Sequence, residues 1–515
     1  MMERIISKER PKKLIYGLMG FLLLYVVVRS LVAAAGRAFW YDELLTLTIS
    51  SLGSWKAILE ALHRPFDGQP PLFYIIEKFA LGLARKQEIA LRLPSLLAFP
   101  CTLTCVFIYV KRRGGEIVAF LCALFLLMTT LFQTYAVEAR PYSMVVACIA
   151  FALVCYQRLP SLFWTAMLGF SLAAAQALHY YAIFAMVPFA VAESVVLLST
   201  RRFRWPVWIA LAFGTLPLVL FWPLLSYLKT VYGPHYWAHY AFSSLPRTYG
   251  AFLSTNSVYG GGIAAVLFAG VAGLHLLPRW VKFAEVEIHK ADRVEPALIL
   301  TLLALPLITF LVTKVMHGGM VDRYVLATII GICLAVGCLL SRARPEIVAL
   351  FALFVISAVG VQELHFWRFP GSHINNVNSG GVATEKFIEG AGHRELPVVV
   401  PYGVLFVELA HYASPHTADR LIYPTQDPVP NDKNWSDTGD KAIQLLQSYL
   451  PLWVSNFREF AASHKEFLIY VEEREPGRDW LTPRLVREGW SLQTVALNDF
   501  QRVYLVTGSG PPPRQ

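Results

Sequence analysis

Charge is scarce in this chain. Asp, Glu, Lys and Arg make up 16% of its 515 residues, whereas hydrophobic residues reach 56% and the mean hydropathy is +0.49. Soluble domains carry roughly 25% charged residues, so the shortfall excludes an ordinary soluble enzyme. The net charge of +10 does not signal nucleic acid, because the Lys and Arg residues cluster in short loops between apolar runs. That is the positive-inside pattern of a membrane protein. Cysteine carries no chemistry either. Cys101, Cys105, Cys122, Cys148, Cys155, Cys333 and Cys338 all lie in apolar runs with no CxxC spacing, which excludes a thiolate zinc site and a disulfide framework. They read as small packing residues.

What the chain has in abundance is apolar runs near the roughly 20 residues a spanning helix needs. They begin near Leu14, Ile89, Glu116, Tyr142, Leu162, Tyr180, Pro206, Val258, Pro296, Tyr324 and Glu346. The N-terminus imitates a signal peptide, but the stretch from Leu14 to Ala35 exceeds a typical h-region and is expected to be a retained first span. Eleven spans put "KERPKK", "KRR" at 111–113, "RRFR" at 201–204, the 279–293 segment and "RAR" at 342–344 on one side, which must be cytoplasmic. The expected fold is therefore a polytopic α-helical membrane protein with its N-terminus inside and its C-terminus outside. The expected domains are 1–362, the membrane part, and 363–515, a small α/β domain on the outer face.

The outer first loop opens with "FWYDELLT" (39–46). Within it, "SWKAILEALH" (54–63) has a serine N-cap and apolar residues at helical spacing, and "PPLFYIIEKFALGLA" (70–84) has prolines suited to a helix start. Both are too short for confident spans and fit helices lying in the interface. Beyond residue 363, "LPVVVPYG", "EFLIYVEE" and "QRVYLVTG" read as strands, and "GVLFVELAHYA" and "TPRLVREG" as helices. That region has no GxGxxG and no P-loop. "NWS" at 434–436 fits a glycosylation pattern of little weight by itself.

Acids, cations and aromatics meet in four outer-face stretches: "FWYDELLT", "HRPFDGQPPLFY" (63–74), "QTYAVEARPYS" (133–143) and "GGMVDRYVLA" (318–327). "ALHYYAIF" (177–184) adds a histidine and two tyrosines. In combination, the first-loop "DE", the "PPLFY" helix start, "YAVEARPY", "HYY" and "DRY" resemble the GT-C membrane glycosyltransferases. The similar branch is the bacterial one related to protein O-mannosyltransferases and lipid A aminoarabinose transferases. The resemblance implies transfer of a hexosyl or pentosyl group from a polyprenyl-phosphate-linked donor to a glycan, lipid or protein acceptor of the cell envelope. It places the enzyme in the inner membrane with its active site on the periplasmic face. One departure is Gln69, where many relatives carry a histidine before the paired prolines.

The chemistry can be argued beside the family. The donor lipid stays in the bilayer, so attack occurs at the interface and the acceptor oxygen needs a general base. Asp42, just beyond the first span, takes that role with Glu43 beside it. Direct displacement would invert the anomeric centre, whereas retaining chemistry needs two facing carboxylates and these two are sequence neighbours. The leaving phosphate wants a fixed cation, and the planar fork of arginine suits it. Arg140 and Arg323, with Tyr142, are the candidates. Glu138 could orient Arg140, bind a metal or contact the acceptor. His63, Asp67, Gln69, His179 and Tyr180 are candidate pocket residues. A divalent metal held by Glu138 with His63 or His179 is an option that spacing does not decide.

Each residue also has a plain structural reading. Arg140 and Arg323 could snorkel to the interface. His179 could be a satisfied helix-end histidine, and Tyr180 and Tyr181 could belong to the aromatic belt. Glu193 reads as a helix-end charge. A transporter or flippase for a lipid-linked glycan is the main rival, but it predicts mid-membrane charges and repeat symmetry, and neither is visible. A non-catalytic scaffold leaves the acids and arginines at several span mouths without a purpose.

Overall fold

A computed structural model describes residues 2–233, 237–238, 240–253, 293–316, 318–368, 380–426, 436–472 and 479–508. The apolar run at Val258, all but the last residue of the basic 279–293 segment and Asn434 of "NWS" lie outside the described residues. The chain forms two compact units. The first comprises Met1–Gly36, Gln69–Leu225 and Ala238–His373, and the second comprises Arg37–Gly68, Ser226–Trp237 and Ile374–Gln515.

In chain order the helices begin with α1 (Met2–Gly36), α2 (Tyr41–Ser50), α3 (Trp55–His63), α4 (Pro71–Leu81), α5 (Gln87–Ala90), α6 (Leu93–Met128) and α7 (Thr130–Ala136). They continue with α8 (Tyr142–Tyr156), α9 (Leu162–Leu178), α10 (Val187–Thr200), α11 (Trp205–Leu220), α12 (Trp222–Tyr232) and α13 (Leu245–Leu253). After these come α14 (Val294–Leu303), α15 (Leu305–Val315), α16 (Thr328–Leu340) and α17 (Pro345–Arg368). The ten apolar runs that fall among the described residues are all helical. Four stretches there are long and apolar enough to cross a membrane: Lys12–Gly36, Gln87–Met128, Tyr180–Thr200 and Pro345–Arg368. Two bent pairs, α11 with α12 and α14 with α15, raise that to six, and α8, α9 and α16 are shorter apolar helices.

Local sequence explains the breaks in the first unit. The runs from Ile89 and Glu116 join in α6 across a kink at Gly115, whose φ of 73° lies in the region glycine enters without a Cβ penalty. Small residues let helices touch: a Cβ on Gly331 of α16 would stand 2.7 Å from the Leu302 Cβ of α14. Two buried acids are paired across helices. Arg29 of α1 donates through Nε to Glu363 Oε2 of α17 at 2.6 Å and through Nη2 to Gln133 Oε1 of α7 at 3.0 Å. The Tyr25 hydroxyl also donates to Glu363 Oε2 at 2.6 Å. Glu193 departs from its expected place as a helix-end charge. It is buried within α10, where it accepts from the Tyr156 hydroxyl at 2.7 Å and from Arg204 Nε at 3.0 Å, because an acid at that depth needs partners.

The second unit is built on a six-stranded sheet, with strands β1 (Val398–Val399), β2 (Leu421–Thr425), β3 (Trp453–Asn456), β4 (Glu466–Glu472), β5 (Ser491–Leu497) and β6 (Gln501–Thr507). The order is β3-β2-β1-β4-β6-β5. The first four run parallel, with Val398 opposite both Leu421 and Leu468, and β6 and β5 close the sheet antiparallel. Every residue of β2 is buried, as expected of parallel strands covered on both faces. Val399, Ile422, Phe460, Phe467, Ile469 and Trp490 belong to the core. The helices are α18 (Gly380–Gly390), α19 (Gly403–Tyr412), α20 (Pro415–Ala418), α21 (Thr438–Leu446), α22 (Phe457–Ser463) and α23 (Leu481–Arg487). The first-loop segment packs into this unit. Ser54 caps α3 as its spacing predicts, accepting from the Ala57 N–H at 3.1 Å. The Phe66 and Tyr449 rings meet edge to face at 5.0 Å. The Tyr232 hydroxyl donates to the Pro65 carbonyl at 2.8 Å.

Candidate functional site

The acid pair opens α2 in the second unit. The Trp40 amide donates to Glu43 Oε2 at 3.3 Å, so the Glu43 carboxylate reaches back to cap its own helix and is fully buried. Asp42 is only half-buried. It stands in the first turn, where the helix dipole favours an anion. Of the two acids, Asp42 is the more exposed.

Two further side chains hold this turn. The Tyr41 amide donates to Glu408 Oε1 at 3.1 Å, and the Phe39 amide donates to the Tyr412 hydroxyl oxygen at 2.7 Å. Burial pushes the Glu408 carboxyl up to about 8; the Tyr41 N–H and Arg37 oppose this, and Glu472 and Glu43 reinforce it. Nothing in the sequence reading singled out Glu408 or Tyr412. The available signal was an acid between Val407 and Leu409 on a buried helix face. His63 and Asp67 lie in the same unit but are engaged locally. His63 is exposed, with Nδ1 2.8 Å from the Leu59 carbonyl, and Asp67 Oδ1 accepts from the Gly68 N–H at 2.6 Å.

The first unit holds a small cleft lined by Arg323, His179, Tyr142, Tyr181 and Tyr324 together with aliphatic residues that include Val146, Ile149, Leu305 and Leu326. His179 ends α9 and starts the 3-10 turn Tyr180–Met186; its Nδ1 accepts from the Tyr181 N–H at 3.1 Å, which leaves Nε2 as the protonated nitrogen in a neutral ring. The rings form a continuous wall. The Tyr142–His179, His179–Tyr324 and Tyr181–Tyr324 centroids lie 5.3, 5.1 and 4.4 Å apart. The Arg323 guanidinium carbon lies 5.7 Å from the Tyr142 ring centre, within cation–π range. The Tyr135 hydroxyl feels the charges of both Glu138 and Arg323, so the "YAVEARPY" and "DRY" stretches do meet. Asp322 anchors the second of them by accepting from the Thr248 hydroxyl at 2.6 Å.

Arg140 is buried, with its guanidinium carbon 6.0 Å from the Phe73 ring centre and its carbonyl accepting from the Ser95 hydroxyl at 2.8 Å. Gln69 is buried at the start of α4. Tyr180 does not line the cleft; its carbonyl accepts from Gln176 Nε2 at 3.0 Å, and Tyr181 takes the place facing Tyr324. Tyr135, Tyr181, Tyr324 and the fully buried Glu77 of α4 are polar groups that the sequence reading did not select. Among the described residues no three His, Cys, Asp or Glu side chains converge as metal ligands.

No protein-family model matches the sequence, and no curated protein matches it. Solved structures of ArnT from Cupriavidus metallidurans are similar in fold. The form bound to undecaprenyl phosphate aligns over 97% of this chain and 99% of that chain at 14% identity, with a TM-score of 0.51. The apo form aligns over 97% and 100% at 14% identity, with a TM-score of 0.52. The chain thus has an ArnT-like fold over nearly its full length.

Proposed function

We propose that this chain is an integral membrane glycosyltransferase of the GT-C type. In this reading it moves a hexosyl or pentosyl group from a polyprenyl-phosphate-linked donor to an extracytoplasmic acceptor. The observation that carries it is the composition of the cleft: a guanidinium and an aromatic wall beside an aliphatic lining. That combination suits one amphipathic class of ligand, an anionic phosphate on a hydrocarbon tail. The ArnT-like fold supports the reading, because ArnT has been crystallised with undecaprenyl phosphate.

Asp42 serves as the general base and takes the proton of the acceptor hydroxyl as its oxygen bonds to the anomeric carbon. The bond from that carbon to the phosphate oxygen breaks, the centre inverts, and the polyprenyl phosphate leaves with the electron pair. Arg323, with Tyr142, offsets the charge gathering on the phosphate, and Arg140 serves the same donor group. Glu138 orients Arg140. The reading includes eleven spans with the N-terminus inside, a membrane part over 1–362, a periplasmic domain over 363–515 and an active site on the periplasmic face of the inner membrane.

Titrating the detergent-solubilised chain with undecaprenyl phosphate tests the donor site. Wild type should bind it and Arg323→Gln at least ten-fold more weakly, since hydrogen bonds to charged groups are worth about 1.5–3 kcal/mol. Equal affinity in the two proteins would remove Arg323 from the donor site. Binding without turnover of any lipid-linked sugar would favour a flippase.

A further inference from the structure

The sequence leaves the C-terminal chain without a role in the chemistry. We infer that Glu408 and Tyr412 of α19 are positioning residues for the acid pair, fixing residues 39–43 by accepting the backbone N–H groups of Tyr41 and Phe39. The inference rests on the proposed reading of Asp42 as the general base and assigns the C-terminal chain a part in aiming it.

The geometry makes this a two-point attachment. Glu408 and Tyr412 stand four residues apart on a helix, about one 5.4 Å turn. Phe39 and Tyr41 stand two residues apart on a chain entering a helix, a rise of about 6.6 Å when extended. The two spacings match, and both bonds form, at 3.1 Å and 2.7 Å. Helix starts leave their first amides without intrahelical acceptors. Here three consecutive amides find side-chain acceptors, with the Trp40 amide on Glu43 between the other two. Phe39 is buried, its ring 6.4 Å from that of His411, so the attachment has an apolar component as well.

The helix that provides these acceptors is itself tied to the sheet. It follows β1 directly, and the Val400 amide donates to the Ile422 carbonyl at 2.9 Å. The Trp480 indole N–H donates to the Pro401 carbonyl at 3.1 Å. Phe406 is fully buried and packs on Tyr423 at 5.5 Å. A Cβ at Gly403 would stand 2.2 Å from Ile443 Cδ1, so that side chain packs against the glycine. A base must be held within about 0.5 Å of its working position, and α2, ten residues long, is too short to hold itself in water. The burial that keeps Glu408 protonated to about pH 8 adds a benefit: at neutral pH its neutral carboxyl accepts the Tyr41 N–H without placing another anion beside Glu43.

Hydrogen–deuterium exchange on the full-length chain in detergent, combined with turnover, tests the inference. Glu408→Ala and Tyr412→Phe should each speed exchange of the 39–43 amides at least ten-fold while β2 and β4 exchange as in wild type. Glu408→Gln, which keeps an acceptor oxygen, should stay near wild type. With a lipid-linked sugar that wild type consumes, drawn from a panel of undecaprenyl-phosphate hexoses and pentoses, the first two variants should lose about ten-fold in kcat with KM for the donor unchanged. Unchanged exchange at 39–43 in both variants would overturn the attachment. Faster exchange with undiminished kcat would overturn its role in aiming Asp42. A wild type that consumes no sugar in the panel would count against the glycosyltransferase reading instead, and the exchange data would still uphold or refute the attachment.

Discussion

Replacing Glu408 by glutamine should change how the protein's stability depends on pH, and the sign follows from where the proton sits. The Glu408 carboxyl, ordinarily near 4.5, is raised to about 8 by burial. Below pH 4.5 both the folded and the unfolded chain hold this proton, and the group contributes no pH dependence. Between 4.5 and 8 the unfolded chain releases it while the folded chain keeps it, so stability falls as pH rises. Above 8 both states are ionised and the contribution is flat. At about 1.36 kcal/mol per pH unit the loss across the window is about 5 kcal/mol, on the order of 10 °C in melting temperature for a unit of this size. Glutamine has no proton to release, and its amide oxygen still accepts the Tyr41 N–H. Thermal unfolding followed by tryptophan fluorescence from pH 5 to 9 reads the effect. Glu408→Gln should match wild type near pH 5 and melt well above it at pH 9. Parallel curves for the two proteins would refute the reasoning, because the two proteins differ in this one carboxyl alone.

Two expectations concern packing in the first unit. A valine at Gly331 must displace Leu302, whose Cβ would lie 2.7 Å from the new Cβ, so Gly331→Val should lower the melting temperature by an amount consistent with about 1–3 kcal/mol of overpacking. Arg29→Met leaves Glu363 and Gln133 without the donor they share and should cost about 3–5 kcal/mol, with much of the loss recovered in the Arg29→Met, Glu363→Leu pair. A double variant no more stable than Arg29→Met would show that the buried pair does more than satisfy its own charges.

The helical part of the fold was legible because the runs are long and the breakers plain. "KRR" at 111–113 separates two apolar runs, and the structure breaks the helix beside it at Gly115; Ser54 caps α3 where its spacing says it should. Strands were harder. "LPVVVPYG", "EFLIYVEE" and "QRVYLVTG" contain β1, β4 and β6, but β2 reads "LIYPT", a five-residue run interrupted by proline, and offers no period to read. At the candidate site the motifs were visible, but the choice between neighbours was not. His179 is followed by a 3-10 turn with three residues per turn rather than a continuing α-helix, and this brings Tyr181, not Tyr180, to the cleft wall. Glu43 looked like a partner of Asp42 in chemistry, yet its carboxylate caps α2 behind a tryptophan N-cap, which lacks the Ser or Thr that would announce a capping box. The ties from α19 to residues 39–41 span more than 360 positions in sequence, a separation at which local patterns say nothing.

The most direct test of the central claim is Asp42→Asn in purified, detergent-folded protein, with undecaprenyl-phosphate binding and turnover of a lipid-linked sugar measured separately. A general base contributes about 10²–10⁴-fold, so turnover should fall by at least 10²-fold while undecaprenyl-phosphate affinity stays at the wild-type value. Full turnover in Asp42→Asn would contradict the account and move the search for the base to Glu43 and Glu138.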